Sequence, residues 1–226
     1  GSNFTKVSVP TVGIWSHGSD VGDLNNDSYD DIIMLDYGPN STIALNNTVD
    51  GFTTYVDPLG IHGHFKSGGS GVAIGNFMNN GGNNEIVVSD GACPLAYLNV
   101  AGCDNNNRTK MYSVDFTGGT LTYTFIKDLP AAANAAISDH HVRVVNHDYD
   151  EDGNADVIVF SRTSSSWNTE LSEIQFLQND GSGNFTDTTA DTLIGYKTDT
   201  ASTYKPSFFD INGDGKTDIL VSGTEF

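Results

Sequence analysis

The sequence predicts an all-β protein whose short strands are grouped into repeating units of the β-propeller-blade type. Two observations carry this. An acidic nonapeptide occurs three times, each copy followed by a short apolar run, and a degenerate fourth copy lies between the first two. The four copies start at residues 23, 76, 148 and 210, on average about 62 residues apart. Periods of this size that hold several short strands point to propeller blades.

The regular copies are Asp23-Leu24-Asn25-Asn26-Asp27-Ser28-Tyr29-Asp30-Asp31, Asp148-Tyr149-Asp150-Glu151-Asp152-Gly153-Asn154-Ala155-Asp156 and Asp210-Ile211-Asn212-Gly213-Asp214-Gly215-Lys216-Thr217-Asp218. Oxygen-bearing side chains fall at positions 1, 3, 5 and 9 of each. A hard cation such as Ca²⁺ takes six to eight oxygen ligands, so alternate carboxylates or amides, a closing carboxylate and one backbone carbonyl near position 7 suit it. That carbonyl belongs to Tyr29, Asn154 and Lys216. An EF-hand needs a bidentate Glu at position 12 and flanking helices. Position 12 here is Met34, Val159 and Val221. The following runs, Ile32-Ile33-Met34-Leu35, Val157-Ile158-Val159-Phe160 and Ile219-Leu220-Val221, read as buried strands. Ordinary Asn/Asp/Gly turns between strands are the alternative, and they account for one copy more readily than for three in one register.

The degenerate copy runs Gly75-Asn76-Phe77-Met78-Asn79-Asn80-Gly81-Gly82-Asn83-Asn84-Glu85 and is followed by Ile86-Val87-Val88. It has one extra residue and a single carboxylate. The expectation is a conserved turn shape in the loop over 76–85, with weak or no metal affinity.

A strand, an acidic loop, an apolar strand and then Asn-Asp-Gly-Ser-Gly-Asn-Phe at 179–185 together resemble the FG-GAP/VCBS repeat of integrin α-subunit propellers and of many secreted bacterial proteins. The resemblance covers nearly the whole chain. It implies that each loop joins the first two strands of a blade and binds Ca²⁺. The implied side-chain ligands are Asp23, Asn25, Asp27 and Asp31; Asp148, Asp150, Asp152 and Asp156; and Asp210, Asn212, Asp214 and Asp218. Ser28 stands where Gly is usual, which strains a left-handed position without removing a ligand.

As a single module over 1–226, the chain divides into blades at about 13–60, 61–135, 136–200 and an incomplete 201–226, with 1–12 as an outer or linking strand. Three and a half to four blades do not shut a ring, and rings shut to leave few edges. The expectation is a segment of a ring of about seven blades, completed by the parent chain or by a second chain.

Composition fits an extracellular all-β module. There are 226 residues, 37% of them hydrophobic, with 25 Gly. Ten basic residues against 29 acidic give a net charge of −19, which argues against nucleic acid and anionic membrane surfaces. No apolar stretch approaches the ~20 residues that span a bilayer. Cys93 and Cys103, the only two cysteines, bracket a length suited to a disulfide-closed hairpin loop and an oxidising compartment. Two buried free thiols are the alternative. Nothing supports enzymatic activity: His140 and His141 lack zinc-type spacing, there is no G-x-S-x-G elbow, and the carboxylates are committed to the loops.

In a propeller the strand entering the loop is innermost, so residues just before it line one rim of the channel. These are Trp15, Ser16 and His17; His64, Phe65 and Lys66; Asp139, His140 and His141; and Tyr204 and Lys205. Of these, Trp15, His17, Phe65, Lys66, His140, His141 and Tyr204 offer rings or charge for stacking on sugars or anchoring a peptide. Packing between blades is the alternative use. Three function classes follow: a non-catalytic, calcium-stabilised recognition or adhesion module for a glycan or protein; an accessory propeller of a secreted polysaccharide-degrading enzyme; and a structural surface or virion spacer.

Overall fold

The computed structural model describes residues 16–36, 41–47, 51–56, 71–89, 109–116, 120–131, 143–162, 172–192 and 206–221. These form four antiparallel sheets with the strands in chain order. The first holds β1 (Ser16–Gly22), β2 (Asp31–Asp36), β3 (Thr42–Asn46) and β4 (Phe52–Val56). The second holds β5 (Val72–Gly75), β6 (Glu85–Val88), β7 (Lys110–Asp115) and β8 (Thr122–Asp128). The third holds β9 (Arg143–Asn146), β10 (Val157–Arg162), β11 (Ser172–Asn179) and β12 (Phe185–Asp187), followed by the one-turn helix α1 (Thr189–Thr192). The fourth is the pair β13 (Pro206–Phe209) and β14 (Asp218–Val221). Among the described residues no helix is long and apolar enough to cross a membrane.

Each apolar run after a loop is the second strand of its sheet, and the side-chain period of two explains why it is apolar throughout. Ile86 and Val88 join the cluster shared with the first sheet, beside Leu24, Ile33 and Ile43. Val87 points the other way, into a cluster with Val157, Val159 and Leu177 of the third sheet. Ile158 and Phe160 then face Phe208 and Ile219 of the fourth. The sheets are therefore stacked face to face in chain order, and an inner strand must be apolar on both sides. Each fully buried Ile, Val or Phe contributes roughly 1.5–3 kcal/mol.

The stack is tightest along the first strands, where β1 lies beside β5 and β5 beside β9. Ile74 donates its N–H to Asp20 Oδ2 at 2.7 Å and accepts from Asn146 Nδ2 at 2.8 Å, so its peptide groups bond to both neighbouring sheets. Gly75 permits this approach. A Cβ there would sit 2.7 Å from Asn146 Nδ2 and 2.7 Å from the Phe77 ring.

The outer faces of the end sheets are open. Val21 on the first sheet is 59% exposed, and Phe209, Ile211 and Leu220 on the fourth are 46%, 56% and 50% exposed. The equivalents of Ile211 in the first and second sheets, Leu24 and Phe77, are fully buried.

Candidate metal centre

Each acidic nonapeptide joins the first strand of a sheet to the second: 23–31 enters β2, 148–156 enters β10 and 210–218 enters β14. The same hydrogen-bond frame is built three times, because Asp and Asn side chains readily bond backbone N–H groups two to five residues on. The position-1 carboxylate caps the N–H groups of positions 5 and 6. Asp23 accepts from Asp27 at 2.9 Å and Ser28 at 2.8 Å, Asp148 from Asp152 at 3.2 Å and Gly153 at 3.0 Å, and Asp210 from Asp214 at 3.1 Å and Gly215 at 2.9 Å. The position-3 oxygens of Asn25, Asp150 and Asn212 also accept from position 5, and position 5 accepts from position 7, the N–H of Tyr29, Asn154 and Lys216.

This winding requires left-handed backbone at positions 4 and 6. Asn26 and Ser28 have φ of 59° and 71°, Glu151 and Gly153 61° and 88°, and Gly213 and Gly215 78° and 86°. The degenerate loop has the same two positions, Asn79 at 46° and Gly81 at 70°. Its turn shape is thus retained despite the inserted residue. Ser28 and Glu151 carry a Cβ at φ values that glycine adopts freely, each at a cost of roughly 1–2 kcal/mol.

The position-9 carboxylate closes each loop, from inside the protein in the case of Asp31 and Asp156. Asp156, fully buried, accepts from Tyr149 N at 3.2 Å and Asn179 N at 2.8 Å. Asp31 accepts from Leu24 N at 2.9 Å and Asn46 N at 2.8 Å. Asp218 accepts from Ile211 N at 2.9 Å. In the degenerate loop Glu85 takes this place, accepting from Phe77 N at 2.9 Å and Met78 N at 3.2 Å. Its longer side chain reaches across the extra residue.

Asp148, Asp150 and Asp156 bring carboxylate oxygens within 4.8 Å of one another. Asp152, expected beside them, instead turns both oxygens onto the backbone and side-chain N–H groups of Asn154, at 2.8 and 2.9 Å. Gln178 on β11 donates to Asp150. Loops one and four carry Asn25 and Asn212 where loop three carries Asp150, an amide oxygen in place of a charge.

The electrostatics suit a cation. Burial pushes the Asp156 carboxyl up to about 6, against the two N–H groups that lower it, and the charges of Asp150 and Asp152 add to the rise. Asp31 is raised too, chiefly by burial, with Asp27 and Asp23 adding to it. Burial likewise raises Glu85. Three hard carboxylates, one of them desolvated and bonded only to neutral N–H groups, form a donor set that fits a divalent ion.

A pH dependence follows. The folded-state value of Asp156 lies above the ~3.9 of an unfolded Asp, so without metal the folded chain binds the proton more readily between about pH 4 and 6. The stability this supplies is full below about pH 4 and is lost as the pH rises through about 6. In EDTA, the denaturation midpoint of the wild type should therefore fall relative to that of Asp156→Asn across this window. A difference between the two that is independent of pH would count against the assignment.

Asn179 was not among the residues singled out from the sequence. It is 0% exposed, and besides its N–H to Asp156 it donates from Nδ2 to Phe77 O and Ala155 O, both at 2.9 Å. Its Oδ1 accepts from Gly181 N at 3.2 Å and Gly183 N at 3.1 Å. The signal was the Asn-Asp-Gly-Ser-Gly-Asn-Phe segment, which forms the turn from β11 to β12.

Of the rim residues, His17 lies in β1, and its side chain is outside the described residues, as are Trp15, Phe65, Lys66, His140, His141 and Tyr204. Cys93 and Cys103 also lie outside them.

No curated protein matches the chain. The family model of the FG-GAP-like repeat matches residues 148–221, from the first carboxylate of loop three to the last residue of β14. Through that segment, about a third of its length, the chain is similar to the FG-GAP-like repeat.

Proposed function

We propose that the chain is part of a calcium-stiffened β-propeller that works outside the cell as a recognition or adhesion module, binding a glycan or protein without catalysing a reaction. The observation that carries this reading is the coincidence of an FG-GAP-like repeat with a gathered carboxylate cluster at its first loop. Face-to-face sheets with adjoining first strands are the arrangement a blade ring requires. The open outer faces of the first and fourth sheets fit further blades, from the parent chain or from a second chain.

Calcium is the ion that hard oxygen ligands on a short loop favour. Asp148, Asp150, Asp152 and Asp156 with the Asn154 carbonyl would hold it in loop three. Asp23, Asn25, Asp27, Asp31 and the Tyr29 carbonyl would serve in loop one, and Asp210, Asn212, Asp214, Asp218 and the Lys216 carbonyl in loop four. The bound ion supplies charge neutralisation. Carboxylate count ranks loop three first and loop four, which carries Lys216, last. The loop over 76–85 binds weakly or not at all, because it offers a single carboxylate, Glu85.

The rim residues Trp15, His17, Phe65, Lys66, His140, His141 and Tyr204 are the proposed ligand contacts. An array of glycans and extracellular proteins, probed with the chain in calcium, is the test. Capture of one ligand class, lost in Trp15→Ala and Tyr204→Ala with the melting temperature unchanged, is the expected result. No capture, or capture indifferent to both substitutions, sinks the rim assignment and favours a structural spacer.

A further inference from the structure

The degenerate loop touches both neighbouring loops. On one side, the Asn84 side-chain amide donates to the backbone carbonyl of Asp23, the first residue of loop one. On the other, Asn79 Nδ2 donates to Asn154 Oδ1 at 3.0 Å. That same Asn154 amide donates Nδ2 to Asp152 Oδ2 at 2.9 Å. The junction is closed: a Cβ on Gly181 would lie 2.5 Å from Asn154 Oδ1 and 3.2 Å from Asn79 Nδ2. A second bond runs beneath it, from Asn179, whose N–H holds Asp156, to the carbonyl of Phe77.

Loop two is held by protein donors alone. Phe77 N, Met78 N and Asn80 Nδ2 converge on the buried Glu85 carboxylate, and the Phe77 ring is fully buried. Its shape therefore does not depend on an ion, whereas the carboxylates of loops one and three repel one another until one is bound. An element that is rigid by itself, bonded at one end to Asp23 and at the other to the partner of Asp152, transmits the ordering of either loop to the other.

We propose that the loop over 76–85 is a metal-independent strut that couples calcium occupancy of loop one to that of loop three through Asn84 and Asn79. The inference rests on the calcium reading above. Linkage makes the effect reciprocal: whatever factor loop one's ion adds to the affinity of loop three, loop three's ion adds to that of loop one.

The experiment is a calcium titration of the isotope-labelled chain by nuclear magnetic resonance, read at the backbone amides of Gly153 for loop three and Ser28 for loop one. Asp27→Ala disables loop one, and the loop-three midpoint is expected to move about fivefold or more to higher calcium. In the Asn79→Gly/Asn84→Ala background the same substitution should leave that midpoint in place. Glycine is chosen at 79 because φ there is 46°, where alanine would be strained. A loop-three midpoint indifferent to Asp27→Ala, or one that moves equally in both backgrounds, overturns the coupling while leaving calcium binding intact. No calcium response at either amide overturns the calcium reading and the coupling together.

Discussion

Transfer of the chain from millimolar calcium to excess EDTA is expected to lower its melting temperature by about 15 °C or more. An ion bound only by the folded state stabilises it by about 2.7 kcal/mol per site at a hundredfold excess over the dissociation constant. Three such sites together reach about 8 kcal/mol, and in a domain of this size each kcal/mol moves the transition by about 2–4 °C. The structure says why the empty state is weak. Asp156 is buried and charged, with only neutral N–H groups against it and Asp148 and Asp150 close by. Native mass spectrometry should find three ions on the wild type and two on Asp152→Ala. A melting curve indifferent to EDTA would reduce the nonapeptides to turns.

Asn179→Ala should destabilise the chain by about 3–5 kcal/mol, or roughly 10 °C in melting temperature. The side chain meets two carbonyls and two N–H groups in a place from which water is excluded, so its removal leaves up to four polar groups without a partner. Asn179→Asp keeps the shape and the acceptor but turns an oxygen toward the Phe77 and Ala155 carbonyls. It is expected to cost at least as much, which separates lost hydrogen bonding from lost volume. Asn184→Ala, on the exposed side of the same turn, is the control and should cost less than about 1 kcal/mol. If thermal melts show Asn179→Ala to be no worse than Asn184→Ala, the buried amide is not what joins loop three to its neighbour.

Much of this was legible in the residues. The apolar runs after the three nonapeptides and the degenerate copy are the second strands of the four sheets, and the turn over 179–185 joins β11 to β12. The left-handed backbone at Ser28, where the third and fourth loops carry Gly153 and Gly215, also follows from the motif. These features are local: Asp and Asn bond the backbone a few residues on, glycine occupies left-handed positions, and β-branched runs seek burial, so a short stretch of chain specifies them.

Other features were not legible because they are non-local. The joining of Phe77 to Asn179 depends on stacking of the second and third sheets, 102 residues apart along the chain. The near-neutral titration of Asp156 reflects desolvation, which no spacing encodes. The sequence by itself determined the all-β class, the loops and their oxygen donors, because local hydrogen bonding and side-chain period act over a few residues. Only the tertiary structure decided which carboxylates converge, which are buried and which loops are joined, because burial and sheet-to-sheet contact exist only once distant segments have packed.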